Sequence, residues 1–326
     1  VSTIINIVTV LILVVFAKLG LVGLFWSFIL GQLSCFLFLE LNLRMIKNLS
    51  FNKFNLNILK KMLKFSSPLI LNLISNWLIF SFGRILLLQY FGENINGLYS
   101  FANRLTVVIT LLGSVVTMSL IEESIMMAKE HSISKESSYI INVLIVAFLT
   151  FSIMFIPASK LFFLVVRNTE YYVAHKYMPL LILFSLLSVI STIIGSIFQA
   201  ISKTQVQFFS TLIGALFSVA FSFLLLNWLD EYGIIWGQII GSGVMIVIRY
   251  IMAYKYIKIK LNFYVYVLLI ALFSATSFIA IKYNFIENII LLVCATIVFF
   301  ILNRKIIIDL FGMLKKLIKK PQTDPK

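Results

Sequence analysis

Apolar and polar positions alternate along this chain in long blocks, not residue by residue. Ten apolar runs stand out, at about residues 1–17, 22–41, 67–91, 97–120, 139–157, 177–201, 208–228, 234–253, 263–281 and 289–308. Most are close to the ~20 residues that a helix needs to cross a bilayer core. They are apolar on all sides, unlike the surface helices of a soluble fold. The pattern predicts an all-α integral membrane protein with about ten transmembrane helices. The runs at 67–91 and 97–120 are joined by the short polar sequence GENIN (92–96), so these two helices are predicted to be antiparallel neighbours. Each carries one arginine, Arg84 and Arg104. Both lie ten positions from Asn94, which predicts a similar depth, about 10 Å below one membrane face. Ionised residues inside membrane helices are costly and mark functional sites by default. Two at one depth, with no carboxylate beside them, point to a site that receives negative charge.

Composition supports the membrane reading: 61% of the 326 residues are hydrophobic and only 12% charged. The net charge of +15 would suit a nucleic-acid binder, but its distribution excludes that class. Nineteen of the 27 Lys and Arg residues fall in the loops after the even-numbered runs and in the C-terminal tail. The opposite loops hold five: Lys18, Lys160, Arg167, Lys176 and Lys282. By the positive-inside rule both ends are cytoplasmic and the 92–96 turn faces outward. The longest basic connection, 42–66, intersperses Lys53, Lys60, Lys61 and Lys64 with Phe54, Leu56, Ile58, Leu59, Met62 and Leu63. That spacing permits an amphipathic helix on an anionic inner leaflet, or an ordinary positive loop. Ser66-Ser67-Pro68 reads as the start of the third membrane helix. Cys35 and Cys294 lie in apolar runs and offer no disulfide or metal spacing; His131 and His175 have no partner motif.

A weak repeat relates the turn at Lys18–Gly23 to that at Asp230–Gly237, with Gly20 matching Gly233. Carried back by the same interval from Ser67, it leaves about 145 residues of a first lobe, enough for four more helices. A chance match of glycine turns is the alternative. The chain begins inside an apolar run without a signal-peptide pattern, and reads as starting part-way through a longer protein.

Polar residues inside the runs form the candidate site. Tyr99, Asn103, Thr106, Thr110, Gly113 and Thr117 recur at helical spacing within about 80°. Asn72, Asn76 and Gly83 share a face of the preceding run, with Trp77, Ser81 and Arg84 on the neighbouring sector. Cavity lining and helix packing both account for such stripes. Arg104 projects off its stripe, where snorkelling competes with a binding role. Arg249, four residues from the inner end of its run, reads as an interfacial anchor. Glu40, Glu122, Glu123 and Asp309 lie at inner ends; Glu93, Glu170, Asp230, Glu231 and Glu287 lie in outer turns. A cation-coupled drug exporter would need carboxylates at depth.

The stretches GLYSFANRL, FQAISKTQVQFFSTLIGALFSVAFSFLLL and YGIIWGQIIG resemble the Wzx-type O-antigen and polysaccharide repeat-unit flippases, of the multidrug/oligosaccharidyl-lipid/polysaccharide exporter superfamily. The resemblance spans most of residues 1–260 and is one of periodicity and loop motifs. It implies a two-lobe, MATE-like exporter whose N-terminal lobe is incomplete here. Residues 1–41 would be the last two helices of that lobe, 42–66 a basic cytoplasmic inter-lobe loop and 67–260 the C-terminal six-helix lobe. Residues 261–308 would be two additional helices, and 309–326 a basic cytoplasmic tail. The implied activity is flipping of undecaprenyl-pyrophosphate-linked oligosaccharides across the bacterial inner membrane by alternating access. Arg84, Arg104, Asn72, Asn76, Asn103, Thr106 and Thr110 would contact the substrate. Implied partners are the lipid-linked oligosaccharide, anionic lipids at the basic loops, and a polysaccharide polymerase with its chain-length regulator. No nucleic acid and no cofactor is expected, although H⁺ or Na⁺ coupling stays open. The alternatives are a cation-coupled multidrug exporter of the same superfamily and a membrane polymerase or glycosyltransferase. The short outer loops and absent catalytic constellation argue against an enzyme.

The predicted topology is checked by single-cysteine labelling in a background lacking Cys35 and Cys294. Reagent added outside should modify cysteines placed at Asn94 and Arg167 and spare one at Lys53; the opposite pattern reverses the assignment.

Overall fold

The apolar runs are helices in the computed structural model, which describes residues 2–44, 46–47, 55–129, 133–282, 285–304 and 308, without the side chains of 123–129 and 133–136. The basic tail 309–326 with Asp309, the loop residues Lys53 and Phe54, His131 and the Glu123 side chain lie outside that description. The described residues supply ten apolar helical stretches and form no strand. Two compact units divide the chain, Val1–Lys61 and Met62–Lys326.

In the first unit, α1 (Ser2–Val10) continues as a π-helical turn (Leu11–Phe16), and α2 (Gly20–Leu43) folds back along it. The reversal passes through Lys18 and Gly20 in the left-handed region, at φ 53° and 54°. Gly23, Ser27 and Gly31, four residues apart, are the buried positions of α2. A Cβ at Gly31 would lie 3.1 Å from the Asn6 Cβ, and one at Gly23 would lie 3.0 Å from the Leu13 carbonyl oxygen. In lipid there is no hydrophobic driving force between helices, so small residues that permit such approach hold them together.

Most of α3 (Leu56–Lys129) belongs to the second unit; the helix has two arms, 56–91 and 93–129, meeting at Gly92 (φ 79°, ψ −175°). One side chain shows that the arms fold back on each other. Gln238 bonds both the Ile79 carbonyl and the Tyr99 hydroxyl, groups that would be about 30 Å apart along a straight helix. The antiparallel pair is therefore as predicted, but it turns at Gly92 and not at Asn94. Arg84 is eight residues before the break and Arg104 twelve after it, so Arg104 lies about 6 Å deeper instead of level with it. The start of the helix is also corrected. Asn55 caps it, accepting from the Asn57 N–H at 2.9 Å, and the helix runs through Pro68, so that it begins ten residues before the expected boundary at Ser66. Lys60, Lys61 and Lys64 extend the membrane helix with exposed side chains.

Helix α4 (Ile133–Val165) is followed by a 3-10 helix (Glu170–Tyr177) and by α5 (Met178–Ala200), which starts with Pro179 in its first turn. α5 is the centre of the unit: seventeen of its 23 residues are buried. Around it stand α4, α6 (Thr204–Leu229) and α7 (Glu231–Ile257), while α8 (Phe263–Lys282) and α9 (Phe285–Leu302) pack on α4. The most intimate contact joins α6 and α7. Gly214, Ser218 and Ser222 on α6 meet Gly233, Gly237 and Gly241 on α7, each set at four-residue spacing. A Cβ at Gly214 would lie 2.8 Å from the Gly241 carbonyl oxygen, and one at Gly241 would lie 2.6 Å from the Ser218 Cβ.

Gly241→Val should therefore force the two helices apart and cost about 1–3 kcal/mol. Thermal unfolding in detergent reads this as a lowered midpoint. Gly243→Ala, at a position with open space around it, should leave the midpoint unchanged.

Candidate substrate-contacting site

The two candidate arginines are on α3 with exposed side chains, and neither makes a hydrogen bond or ion pair to a described residue. Arg104 stands in a stripe with the exposed Val108, Leu111, Val115 and Met118. The polar stripe of the same arm turns the other way, into the bundle. Tyr99 and Thr106 are 1% exposed, Thr117 is buried, and Asn103 and Thr110 are half-buried. The Thr106 hydroxyl donates to the Asn103 carbonyl at 2.9 Å and lies 3.2 Å from its Oδ1; Thr110 donates to the Val107 carbonyl at 2.9 Å. On the first arm Asn72 is buried and Asn76 half-buried, whereas Trp77 and Arg84 are exposed. The structure thus joins Asn103 to Thr106 and carries Asn72 into the core. It does not bring Arg84 or Arg104 onto the polar stripes.

Two polar clusters that the sequence pattern does not reveal hold these helices in place. The first is the Gln238 bridge. Its Nε2 donates to the Ile79 carbonyl at 3.0 Å and its Oε1 accepts from the Tyr99 hydroxyl at 3.1 Å. Gly83 makes room for it: a Cβ there would lie 2.7 Å from the Gln238 Nε2. One amide thereby ties α7 to both arms of α3, and it sets the position of Arg84, one residue beyond Gly83. Arg84 is also within electrostatic range of Tyr99.

The second cluster surrounds Arg249, which corrects the reading of this residue as an interfacial anchor. It is 2% exposed and sits among α5, α6 and α7. Its Nη1 donates to the Ser191 carbonyl at 2.6 Å and to the Ser191 hydroxyl at 3.1 Å. Its Nε donates to Ser210 at 3.0 Å, and its Nη2 to Thr211 at 2.8 Å. Thr211 in turn donates to the Asn72 Oδ1 at 2.5 Å, which joins α3 to the cluster. Gly195 leaves the guanidinium its space, since a Cβ there would approach Nη1 to 2.6 Å. The difference comes from the helix end. α7 continues to Ile257, so Arg249 is eight residues inside it, about 12 Å deep and too far to reach the interface comfortably. The available signal was the hydroxyl residues on two neighbouring runs, Ser191 and Ser210-Thr211, with a glycine beside them.

No protein-family model matches the chain, and no curated protein matches it. Solved structures do. A crystal structure of a point mutant of MATE superposes with a TM-score of 0.61 at 18% identity, covering 83% of this chain and 61% of that one. A multidrug resistance MATE family transporter of the MOP superfamily, in an outward-facing conformation, gives 0.61 at 17% identity over 83% and 61%. A MATE in the bent conformation gives 0.58 at 17% over 85% and 61%. The chain has the MATE fold. It spans 61% of the length of those transporters, so the shared architecture is that of a multi-pass helical membrane protein over that part.

Arg249→Ala should lower the unfolding midpoint and the amount of folded protein by an equivalent of about 2–4 kcal/mol, because it removes a buried hub from three helices. Thr211→Val, which breaks the link to Asn72, should cost about 1–2 kcal/mol. Both are measured by thermal unfolding of detergent-purified protein.

Proposed function

We propose that this protein moves undecaprenyl-pyrophosphate-linked oligosaccharide repeat units across the bacterial inner membrane by alternating access, with both ends of this chain cytoplasmic. The observation that carries the reading is the pair Arg84 and Arg104, exposed on a polytopic MATE-like fold and without a carboxylate partner among the described residues. Guanidinium groups recognise phosphate oxygens through paired N–H donors. The acids with described side chains support it: Glu40, Glu93, Glu170, Asp230, Glu231 and Glu287 lie at or near helix ends or turns and Glu122 is the last residue of the apolar span 56–122, so the described part of the protein offers cations at depth and not anions. Asn76, Asn103 and Thr110 are half-buried beside these helices and would supply hydrogen bonds to sugar hydroxyls. Asn72 and Thr106 would act by holding the helices in register. Anionic lipids at Lys60, Lys61 and Lys64, and a polymerase with its chain-length regulator, are the partners this reading calls for.

The second reading is a cation-coupled multidrug exporter, and the similarity in fold to a multidrug resistance MATE transporter favours it. It would place the coupling carboxylate outside the described residues. H⁺ or Na⁺ coupling is compatible with either reading.

Arg84→Ala in the full-length protein should abolish surface polysaccharide while membrane abundance stays normal, and Arg84→Lys should retain part of the activity. Arg104→Ala should have a milder effect. The measurement is surface polysaccharide by gel, normalised to membrane protein, in a strain lacking the chromosomal copy. A fully active Arg84→Ala would rule out the anion-contact role.

A further inference from the structure

A cavity of about 310 Å³ lies where the first membrane turns of α4, the connection from α7 to α8 and the end of α9 meet. That volume is within the range of about 300–1,000 Å³ typical of small-molecule sites. Tyr139, Asn142, Val143 and Val146 supply one wall, at the i, i+3, i+4, i+7 spacing of a single helix face. Asn262 and the pair Leu302-Asn303 complete the lining. Tyr139, Asn262 and Leu302 are exposed, which leaves the cavity open to its surroundings. All three contributing segments reach it at the membrane face that the charge distribution assigns to the cytoplasm.

The polar part of the wall is built in advance. The Asn142 Nδ2 donates to the Ser138 carbonyl at 2.6 Å and to the Lys260 carbonyl at 2.7 Å. Its Oδ1 accepts from the Asn262 N–H at 2.9 Å and from the Tyr266 hydroxyl. One saturated amide therefore clamps the α7–α8 connection onto α4. Asn303 does the same for α9: it is 3% exposed, and its Nδ2 donates to the Thr150 hydroxyl at 2.8 Å and to the Phe299 carbonyl at 2.9 Å. Its Oδ1, however, is buried without a hydrogen-bond donor among the described residues. A buried amide oxygen left unpaired is costly, so this one calls for a donor from outside the protein. The Asn262 side-chain amide likewise makes no hydrogen bond to a described residue.

These features select a ligand. The lining carries no charge, and its open amide groups ask for a neutral partner that both donates and accepts, as a hydroxyl does. Cations follow the lining on two sides, Lys260 and Arg304, both exposed and neither ion-paired to a described residue. Val143, Val146 and Leu302 add an apolar flank that a fully hydrated solute would not use. A basic-rimmed recess between membrane helices on the cytoplasmic side suits a lipid headgroup. We infer that this cavity holds the headgroup of one phosphatidylglycerol-type lipid, its glycerol hydroxyls on Asn262 and Asn303 and its phosphate beside Lys260 and Arg304. The site uses none of Arg84, Arg104, Lys60, Lys61 or Lys64, and it stands or falls independently of the transport reading.

The test is native mass spectrometry of the full-length protein in detergent, titrated with phosphatidylglycerol, phosphatidylmethanol, phosphatidylethanolamine or soluble glycerol 3-phosphate. Phosphatidylmethanol has the same charge as phosphatidylglycerol but no hydroxyl to donate. One phosphatidylglycerol should be retained about tenfold more tightly than phosphatidylmethanol, the worth of one to two hydrogen bonds. Phosphatidylethanolamine, whose ammonium meets the two rim cations, and glycerol 3-phosphate, which has no chains, should both bind more weakly. Asn262→Leu should bring phosphatidylglycerol down to the phosphatidylmethanol level, whereas Lys260→Gln with Arg304→Gln should weaken both lipids alike. Equal retention of phosphatidylglycerol and phosphatidylmethanol by the unaltered protein would overturn the proposal without recourse to any variant. A preference that survives Asn262→Leu, or glycerol 3-phosphate binding as tightly as the lipid, would also overturn it.

Discussion

A polar group between membrane helices has no solvent to fall back on, and this constraint organises the second unit around Arg249. Its guanidinium is satisfied by two serines, a threonine and one backbone carbonyl, with no carboxylate among these partners. The partners come from α5 and α6, so satisfying the charge fixes α5, α6 and α7 relative to one another, and the Thr211–Asn72 bond extends the fixed set to α3. Taking a charge out of water costs several kcal/mol, and the surrounding hydrogen bonds must offset that penalty. The bonds form only when all four helices are in register.

Small residues make this register possible. The α6–α7 pair brings backbones so close that side chains beyond Gly or Ser do not fit along its seam. The same device recurs in the first unit at Gly23, Ser27 and Gly31. Gly83 and Gly195 have a related but distinct use, since each leaves room for one polar side chain, Gln238 and Arg249 respectively. Packing and polar satisfaction are therefore coupled: where a glycine yields space, a hydrogen-bonding group fills it.

The arginines divide into two physical kinds. Arg249 has its donors engaged by the protein and acts on stability. Arg84 and Arg104 are exposed and have donors to offer, which is why the transport proposal rests on them. Gln238 connects the two kinds, because it holds both arms of α3 against α7 and so determines where Arg84 stands.

The sequence by itself determined the class and the segments. Runs of apolar residues longer than a soluble helix needs cross a membrane only as helices, since the backbone must satisfy itself. Ten such runs became ten helical stretches among the described residues, and the superposition on solved MATE structures agrees with the MATE-like all-helical fold that the loop motifs suggested. The antiparallel α3 arms were legible too, because a short glycine-containing join leaves little other geometry. Tertiary structure decided which polar residues face which neighbour. A run that is apolar on every side gives no periodicity from which to orient it, so Gln238 and Arg249 stand in the sequence as isolated polar residues. Their partners lie 38 to 159 positions away, a separation that only packing brings within 3.1 Å. Helix ends were the other blind spot. Hydropathy ends α7 four residues early and so puts Arg249 too near the interface. It also hides the α3 start at Asn55, because the lysines after it continue a helix that lipid alone would not have required.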